Sequence, residues 1–149
     1  MADAHLGSKM EAKLSGEQAK LRRSEIRATF RRTVEYAAAN DIKVFVIAGD
    51  LFDAEKPLKK DKEFFYDTVK RFDGIDFLYL RGNHDRGGNG EDLPNLKTFS
   101  KDWTYYRYGK VVFAGVELCR ENSVSLYSSL RLAADDVNVA IMHGDISEG

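Results

Sequence analysis

Three short apolar runs, each followed at once by polar side chains, constrain the fold of this chain more than any other feature. The first run, residues 44–48, is followed by Gly49 and then by Asp50 and Asp53. The other two, at 77–80 and 137–142, lead into the sequences RGNHD and HGD. Such runs are typical of buried strands in an α/β sheet. Side chains just past the carboxyl ends of parallel strands point into the crevice where these sheets bind ligands, so we predict a site there.

The composition sets the class of protein. With 149 residues, of which 43% are hydrophobic, the chain is long enough to bury a core, and we expect a single domain. Its 23 basic and 24 acidic residues exclude the strongly basic balance of a dedicated nucleic-acid binder, although not a local basic patch. The single cysteine, Cys119, excludes an internal disulfide and fits a reducing compartment. No apolar run approaches the ~18 residues of a membrane span, and we expect a cytoplasmic protein without a membrane partner.

Segments with helical periodicity lie before and between the apolar runs. Ser15 and Gln18 have the spacing of a capping box and open a predicted helix that ends near Asn40. Its arginines fit a solvated face better than a contact with a phosphate backbone. The other predicted elements are a helix over 59–72, strands over 103–108 and 111–118, and a helix over 124–134. The helix at 59–72 joins two apolar runs, which predicts a parallel strand–helix–strand unit.

Each of the three histidines lies within two residues of an acidic or amide residue. Asp3 and His5 are two residues apart, so both side chains of an extended segment would point the same way. His84 lies between Asn83 and Asp85, and His143 follows the third apolar run. Imidazole nitrogen together with carboxylate and amide oxygen suits Mn, Fe or Zn better than Mg or Ca. The alternatives are a frayed terminus for Asp3 and His5, a polar loop for residues 83–85 and a turn at the strand end for His143.

The ordered set of these motifs resembles the calcineurin-like metallophosphoesterase superfamily. The set comprises Asp3-x-His5, the GDLFD sequence at 49–53, the GNHD sequence at 82–85, and His143 after a strand. HLG at 5–7, together with GDLFD followed by Lys-Pro, is similar to the branch of DNA double-strand-break repair nucleases, which includes SbcD-like exonuclease subunits. The resemblance implies a layered α/β fold with a central mixed, largely parallel sheet flanked by helices. It also implies a metal-dependent phosphodiesterase, most simply a DNA exonuclease or endonuclease of the repair type.

The resemblance also implies a role for each motif residue. Two divalent ions, Mn²⁺ first and Fe or Zn as alternatives, would be held by five ligands: Asp3, His5, Asp50, Asn83 and His143. They would bind a phosphoryl oxygen and activate a water for in-line attack. His84 would be the acid that protonates the leaving oxygen, and Asp53 or Asp85 would orient its ring. For Asp53, a place at the entry of the next helix is the alternative.

Two parts of the family pattern are missing from the sequence. The closing Gly-His-x-His motif is absent after His143, and no apolar strand precedes Asp3. We therefore expect residues 1–149 to form one incomplete domain that lacks the first strand and the C-terminal part, with Asp3 poorly anchored. The alternative functions are hydrolysis of another phosphoester and metal binding without efficient catalysis. DNA, an SbcC-like ATPase and a second copy in a homodimer are the partners that the resemblance implies.

Overall fold

The computed structural model of the protein describes residues 1–9, 14–53, 57–82 and 91–144. Three helices and six strands occupy these ranges. In chain order they are α1 (Gly16–Ala39), β1 (Val44–Ala48), α2 (Lys59–Arg71), β2 (Asp76–Leu80), β3 (Leu96–Thr98), β4 (Thr104–Tyr108), β5 (Val111–Gly115), α3 (Leu126–Ser129) and β6 (Val137–Ile141).

The strands are divided between two three-stranded sheets. The first has the order β1-β2-β3, and both of its pairings are parallel. The second has the order β4-β5-β6, with β4 antiparallel and β6 parallel to β5. Three of the four strand pairings are therefore parallel. The predicted α/β class with largely parallel pairing is confirmed, and so is the parallel pairing of β1 and β2 across α2.

The alternation of side chains along β1 and β2 builds a layered core. Phe45 and Ile47 of β1 belong to a buried cluster that includes residues of α1 and α2. Val44 and Val46 point to the opposite face and pack with Leu78 and other residues of a second cluster, to which the second sheet contributes. Because both faces of β1 are covered, this strand is apolar throughout. The layers run in the order helices, first sheet, second sheet.

Helix α1 has the predicted ends. The Ser15 side chain accepts from the Gln18 backbone, and the Gln18 side chain accepts from the Ser15 backbone, which completes the capping box. Asn40 is the C-terminal cap. Among the described residues, Arg22 forms a local 2.8 Å ion pair with Glu25, Arg31 lies over the ring of Phe64, and Arg27 contacts the buried acid Asp61. Among the described residues, no helix is both long and apolar enough to span a membrane.

Three elements differ from the sequence prediction. Strand β5 ends at Gly115, three residues before the predicted end at 118. Strand β3, three residues long, was not predicted, because so short a strand carries no readable alternation. The helix predicted over 124–134 shrinks to the four residues of α3. Its serines explain the loss, since the hydroxyls of Ser128 and Ser129 both donate to the Ser125 carbonyl and compete with the backbone for it.

The N-terminal segment is anchored, although no strand precedes β1 in the described residues. The backbone N–H of Asp3 donates to the Gly49 carbonyl at 3.2 Å. The N–H of His5 donates to the Asp50 carbonyl at 3.1 Å, and Leu6 N–H donates to Leu51 at 2.7 Å. Leu6 is almost fully buried in the main core. The expectation that Asp3 would have no rigid anchor is therefore wrong, because residues 3–6 pair with the chain just after β1.

Polar contacts join the elements away from the strand ends. The Asn95 amide is buried and donates to the carbonyls of Val69, Phe72 and Ile75, which ties the end of α2 to the segment before β3. The Tyr108 hydroxyl donates to the Asp76 carboxylate at 2.6 Å and links the two sheets. Partial burial, and then this carboxylate, raise the pKa of Tyr108 well above its usual range. The hydroxyl therefore keeps its proton at neutral pH.

Candidate metal centre

Asp50 occupies the carboxyl end of β1, where the sequence predicted a site. Gly49 leaves the strand with a φ of 84°, and Asp50 follows with a φ of 47°, so the chain turns sharply as the strand ends. The turn directs the Asp50 side chain inward, and only 12% of that side chain is exposed. A carboxylate withdrawn from water in this way needs compensating positive charge or hydrogen bonds.

Asp3 and His5 lie next to Asp50. Each of the three side chains offers one ligand atom, and these atoms lie within 4.8 Å of one another. His5 Nε2 is 4.0 Å from Asp3 Oδ1. After His5 the chain makes a turn in which Ser8 N–H donates to the His5 carbonyl at 3.2 Å, with Gly7 at a φ of 80°. A type II turn requires a positive φ at this position, which explains the glycine.

His143 approaches Asp50 from the second sheet. It follows β6, and its Nε2 is 3.3 Å from Asp50 Oδ2. Its Nδ1 is 3.1 Å from the Ala48 carbonyl. The ring lies so close to Gly49 that a Cβ atom there would be 2.7 Å from the Cβ of His143. Gly49 thus serves both the sharp turn and the approach of His143, and sequence reasoning identified only the end of the strand.

The hydrogen bonds fix the tautomer of both histidines in their neutral form. A carbonyl can only accept, so Nδ1 of His143 carries the proton and donates it to Ala48. His5 Nδ1 is 2.8 Å from Asp53 Oδ1, and an ionised carboxylate likewise only accepts. In both rings Nε2 then carries the lone pair, and each Nε2 lies toward a carboxylate oxygen. Two acceptors that face each other repel unless a proton or a metal ion lies between them.

The donor set fits a divalent cation of the kind that proteins bind with nitrogen and oxygen. Imidazole Nε2 atoms and carboxylate oxygens together suit Mn, Fe or Zn. Metal-binding histidines almost always donate their other ring N–H to a carboxylate or a carbonyl, and both rings here do so. Asp50 is the residue that lies against both His143 and the group of Asp3 and His5. The sequence-based assignment of Asp50 between two metals stays a prediction.

Backbone strain is concentrated in the same residues. Four non-glycine residues of the described ranges have positive φ, and three of them are Asp3, His5 and Asp50. The fourth, Asp41, follows α1. Non-glycine residues in this region cost on the order of 1 kcal/mol or more and persist where the surrounding structure imposes them, often at functional sites. Here hydrogen bonds from residues 3, 5 and 6 to the chain after β1 impose them.

Asp53 contacts His5, and its predicted contact with the His84 ring stays a prediction because His84 lies outside the described residues. Sequence reasoning expected it to orient the His84 ring, and no local signal pointed to His5, which lies 48 positions earlier. Asn83, His84 and Asp85 lie outside the described residues, so their predicted roles stay predictions. Gly82, which precedes them, packs on Asp50, and a Cβ there would be 2.9 Å from Asp50 Cγ.

We predict that Asp53→Asn weakens metal binding without unfolding the chain. The amide of asparagine is as large as the carboxylate, but its oxygen is neutral and accepts a weaker hydrogen bond from His5 Nδ1–H. The His5 ring is then less firmly oriented, and its Nε2 is a weaker base. Changes of this kind typically lower metal affinity by about 10–100-fold. Titration with Mn²⁺ measures the effect, and Asp102→Asn, a change of the same type at an exposed residue, is the matched control. Equal affinity in wild type and Asp53→Asn would contradict the role.

A recess opens beside His143. It has a volume of about 260 Å³ and is bounded by the chain after β2, by Lys101, by the segment after β5 and by His143. Arg81 and Glu117 form a two-bonded ion pair in its wall, with distances of 2.6 and 2.8 Å. The wall of the recess therefore combines this ion pair with the ring of His143.

Comparison with known proteins agrees with this chemistry. The model of the family described as calcineurin-like phosphoesterase matches residues 1–148. The DNA double-strand break repair protein Mre11 of Sulfurisphaera tokodaii is 24% identical to the chain over 163 aligned positions. The alignment covers 99% of this chain and 40% of that relative. The likeness runs along nearly all of this chain and less than half of the relative.

Proposed function

Because the chain belongs to the calcineurin-like phosphoesterase family, we propose that it hydrolyses phosphodiester bonds with the aid of two divalent metal ions and that DNA is its substrate. One observation carries the metal part of this proposal. Two histidine rings, held by Asp53 and Ala48, present Nε2 toward the carboxylates of Asp3 and Asp50. Rings whose other nitrogen is held by a carboxylate or a carbonyl, with Nε2 directed at carboxylates, have the arrangement that is typical of metal ligands.

The proposed roles follow the positions of the described side chains and, for Asn83 and His84, the family pattern in the sequence. Asp3, His5, Asp50 and His143 would hold the ions, and Asn83 joins them from the sequence alone. Bound divalent ions would supply positive charge to a phosphoryl oxygen and make a water acidic enough to attack at neutral pH. Without that charge the acidic residues would repel a phosphodiester. Asp53 and the Ala48 carbonyl keep the two rings in the required tautomer, and His84 would donate the proton to the leaving oxygen.

The substrate class rests on similarity rather than on the metal centre. The relative from Sulfurisphaera tokodaii is named for DNA double-strand break repair, and the HLG and GDLFD sequences are similar to that branch. The chain spans about two fifths of this relative, so DNA as substrate is a proposal. A preference for Mn²⁺, exonuclease or endonuclease action, an SbcC-like ATPase partner, a homodimer and a cytoplasmic location also stay predictions.

The test is cleavage of labelled single- and double-stranded DNA by the purified chain with Mn²⁺, compared with the same chain in a chelator. We expect Mn²⁺-dependent cleavage of DNA and little hydrolysis of p-nitrophenyl phosphate, a simple monoester. Hydrolysis of the monoester alone would favour a phosphoesterase of another substrate class. Binding of Mn²⁺ without hydrolysis of either substrate would favour a metal-binding role without catalysis. No Mn²⁺ binding would contradict the proposal.

A further inference from the structure

A buried ion pair lies beneath the turn that follows His5. The Asp61 side chain, in the first turn of α2, is 1% exposed, and its Oδ1 accepts from Arg27 of α1, with Nε at 3.1 Å and Nη2 also in contact. The other oxygen, Oδ2, is buried and has no hydrogen-bond partner among the described residues. A charge buried in this way is costly unless its position is fixed by a partner, which here is Arg27.

The carboxylate of Asp61 abuts the turn at Gly7. A Cβ atom on Gly7 would lie 3.0 Å from Asp61 Cγ and closer still to Oδ2, so the two residues are in direct van der Waals contact. Leu6, on the preceding position, is 1% exposed and hydrogen-bonds to Leu51. The turn is thus held from the β1 side by Leu6 and from the α2 side by Asp61. His5 begins this turn.

His5 needs such support because its φ of 47° is unfavourable for a residue with a side chain. Strained positions of this kind persist only where the surroundings restrict the backbone from several sides. Arg27 holds Asp61 with a planar fork of donors, which fixes the direction of the carboxylate more firmly than a single donor would.

We infer that the Arg27–Asp61 pair is a positioning device for the metal ligand His5. This inference rests on the proposed metal centre and assigns to two residues of the helices a role in it. By this inference the pair, which touches neither substrate nor metal, keeps the turn of residues 5–8 in the place that aims the His5 ring at Asp3 and Asp50. The Arg27–Asp61 pair therefore contributes to the affinity for metal as well as to the stability of the fold.

The test compares Mn²⁺ affinity in wild type and Asp61→Asn, measured by isothermal titration after thermal unfolding has shown that both are folded. Asparagine keeps the volume but removes the charge that holds Arg27. We expect the dissociation constant for Mn²⁺ to rise by about tenfold or more, the lower end of what changes around metal ligands produce. The matched control is Asp136→Asn, which breaks the two-bonded ion pair with Arg107 in the second sheet. The control should leave Mn²⁺ affinity unchanged.

A second variant covers the case in which Asp61→Asn does not fold. Arg27→Lys keeps the positive charge but loses the fork, so we expect a folded chain with a smaller loss of affinity. If the folded variants bind Mn²⁺ as tightly as wild type and lose only thermal stability, the pair is structural and the inference is wrong. If wild type itself binds no Mn²⁺, the proposed function is wrong, and this inference with it.

Discussion

Replacing Asp50 with Asn is expected to abolish Mn²⁺-dependent hydrolysis and to lower Mn²⁺ affinity by about 100-fold or more, beyond the 10–100-fold loss typical of changing a partner of a ligand. The reason is the position of Asp50, whose side chain lies 3.3 Å from His143 and within the group formed with Asp3 and His5. Asparagine keeps the shape of the side chain and tolerates positive φ. The loss of Mn²⁺ affinity and of hydrolysis would therefore result from the missing negative charge and not from a change in backbone conformation.

Asp41→Asn is the matched control for this prediction. Asp41 also has a positive φ, 56°, but its side chain is 85% exposed and pairs with Lys43 outside the site. The same chemical change in the same backbone conformation should leave both metal affinity and hydrolysis as in wild type. Titration calorimetry with Mn²⁺ and a DNA cleavage assay would be run on both variants. Retained Mn²⁺ affinity in Asp50→Asn would show that Asp50 is not a ligand.

His84→Ala is expected to lower the rate of DNA cleavage by about 10²–10⁴-fold, the usual contribution of a general acid, while Mn²⁺ affinity stays near that of wild type. His84 follows a predicted ligand but is not one in the family pattern, so its removal should spare the ions. The rate is measured in single turnover with saturating Mn²⁺.

A change of leaving group separates this role from a general loss of structure. p-Nitrophenolate leaves without being protonated, so His84→Ala should lose much less activity on bis(p-nitrophenyl) phosphate than on DNA. An equal loss on both substrates would contradict proton donation. Equal turnover of DNA by wild type and variant would remove His84 from the mechanism altogether.

The sequence predicts the strands and the ends of the long helices because their signals are local. The capping box at Ser15 and the alternation along β1 each act within a few residues. It also places Asp50 and His143 at strand ends. Two errors were local as well: β3 is too short to show a period, and the serines before Leu130 shorten α3.

The contacts that hold the site were beyond sequence reasoning because they join distant positions. Asp53 and His5 are 48 residues apart, and Arg27 and Asp61 are 34 apart. The anchoring of Asp3 was missed for a related reason. Residues 1–6 have no apolar run, but their backbone pairs with the end of β1, and backbone hydrogen bonds leave little trace in side-chain pattern.

The hydrogen bond between His143 and the Ala48 carbonyl has a consequence for folding. It joins positions 95 residues apart. The N-terminal segment also hydrogen-bonds to the chain at the end of β1. During synthesis, the group formed by Asp3, His5, Asp50 and His143 is therefore incomplete until His143 has left the ribosome. A metal ion bound by all four residues would act as a cross-link over this long loop. It would stabilise the native state by about 2.7 kcal/mol at a concentration 100 times its dissociation constant.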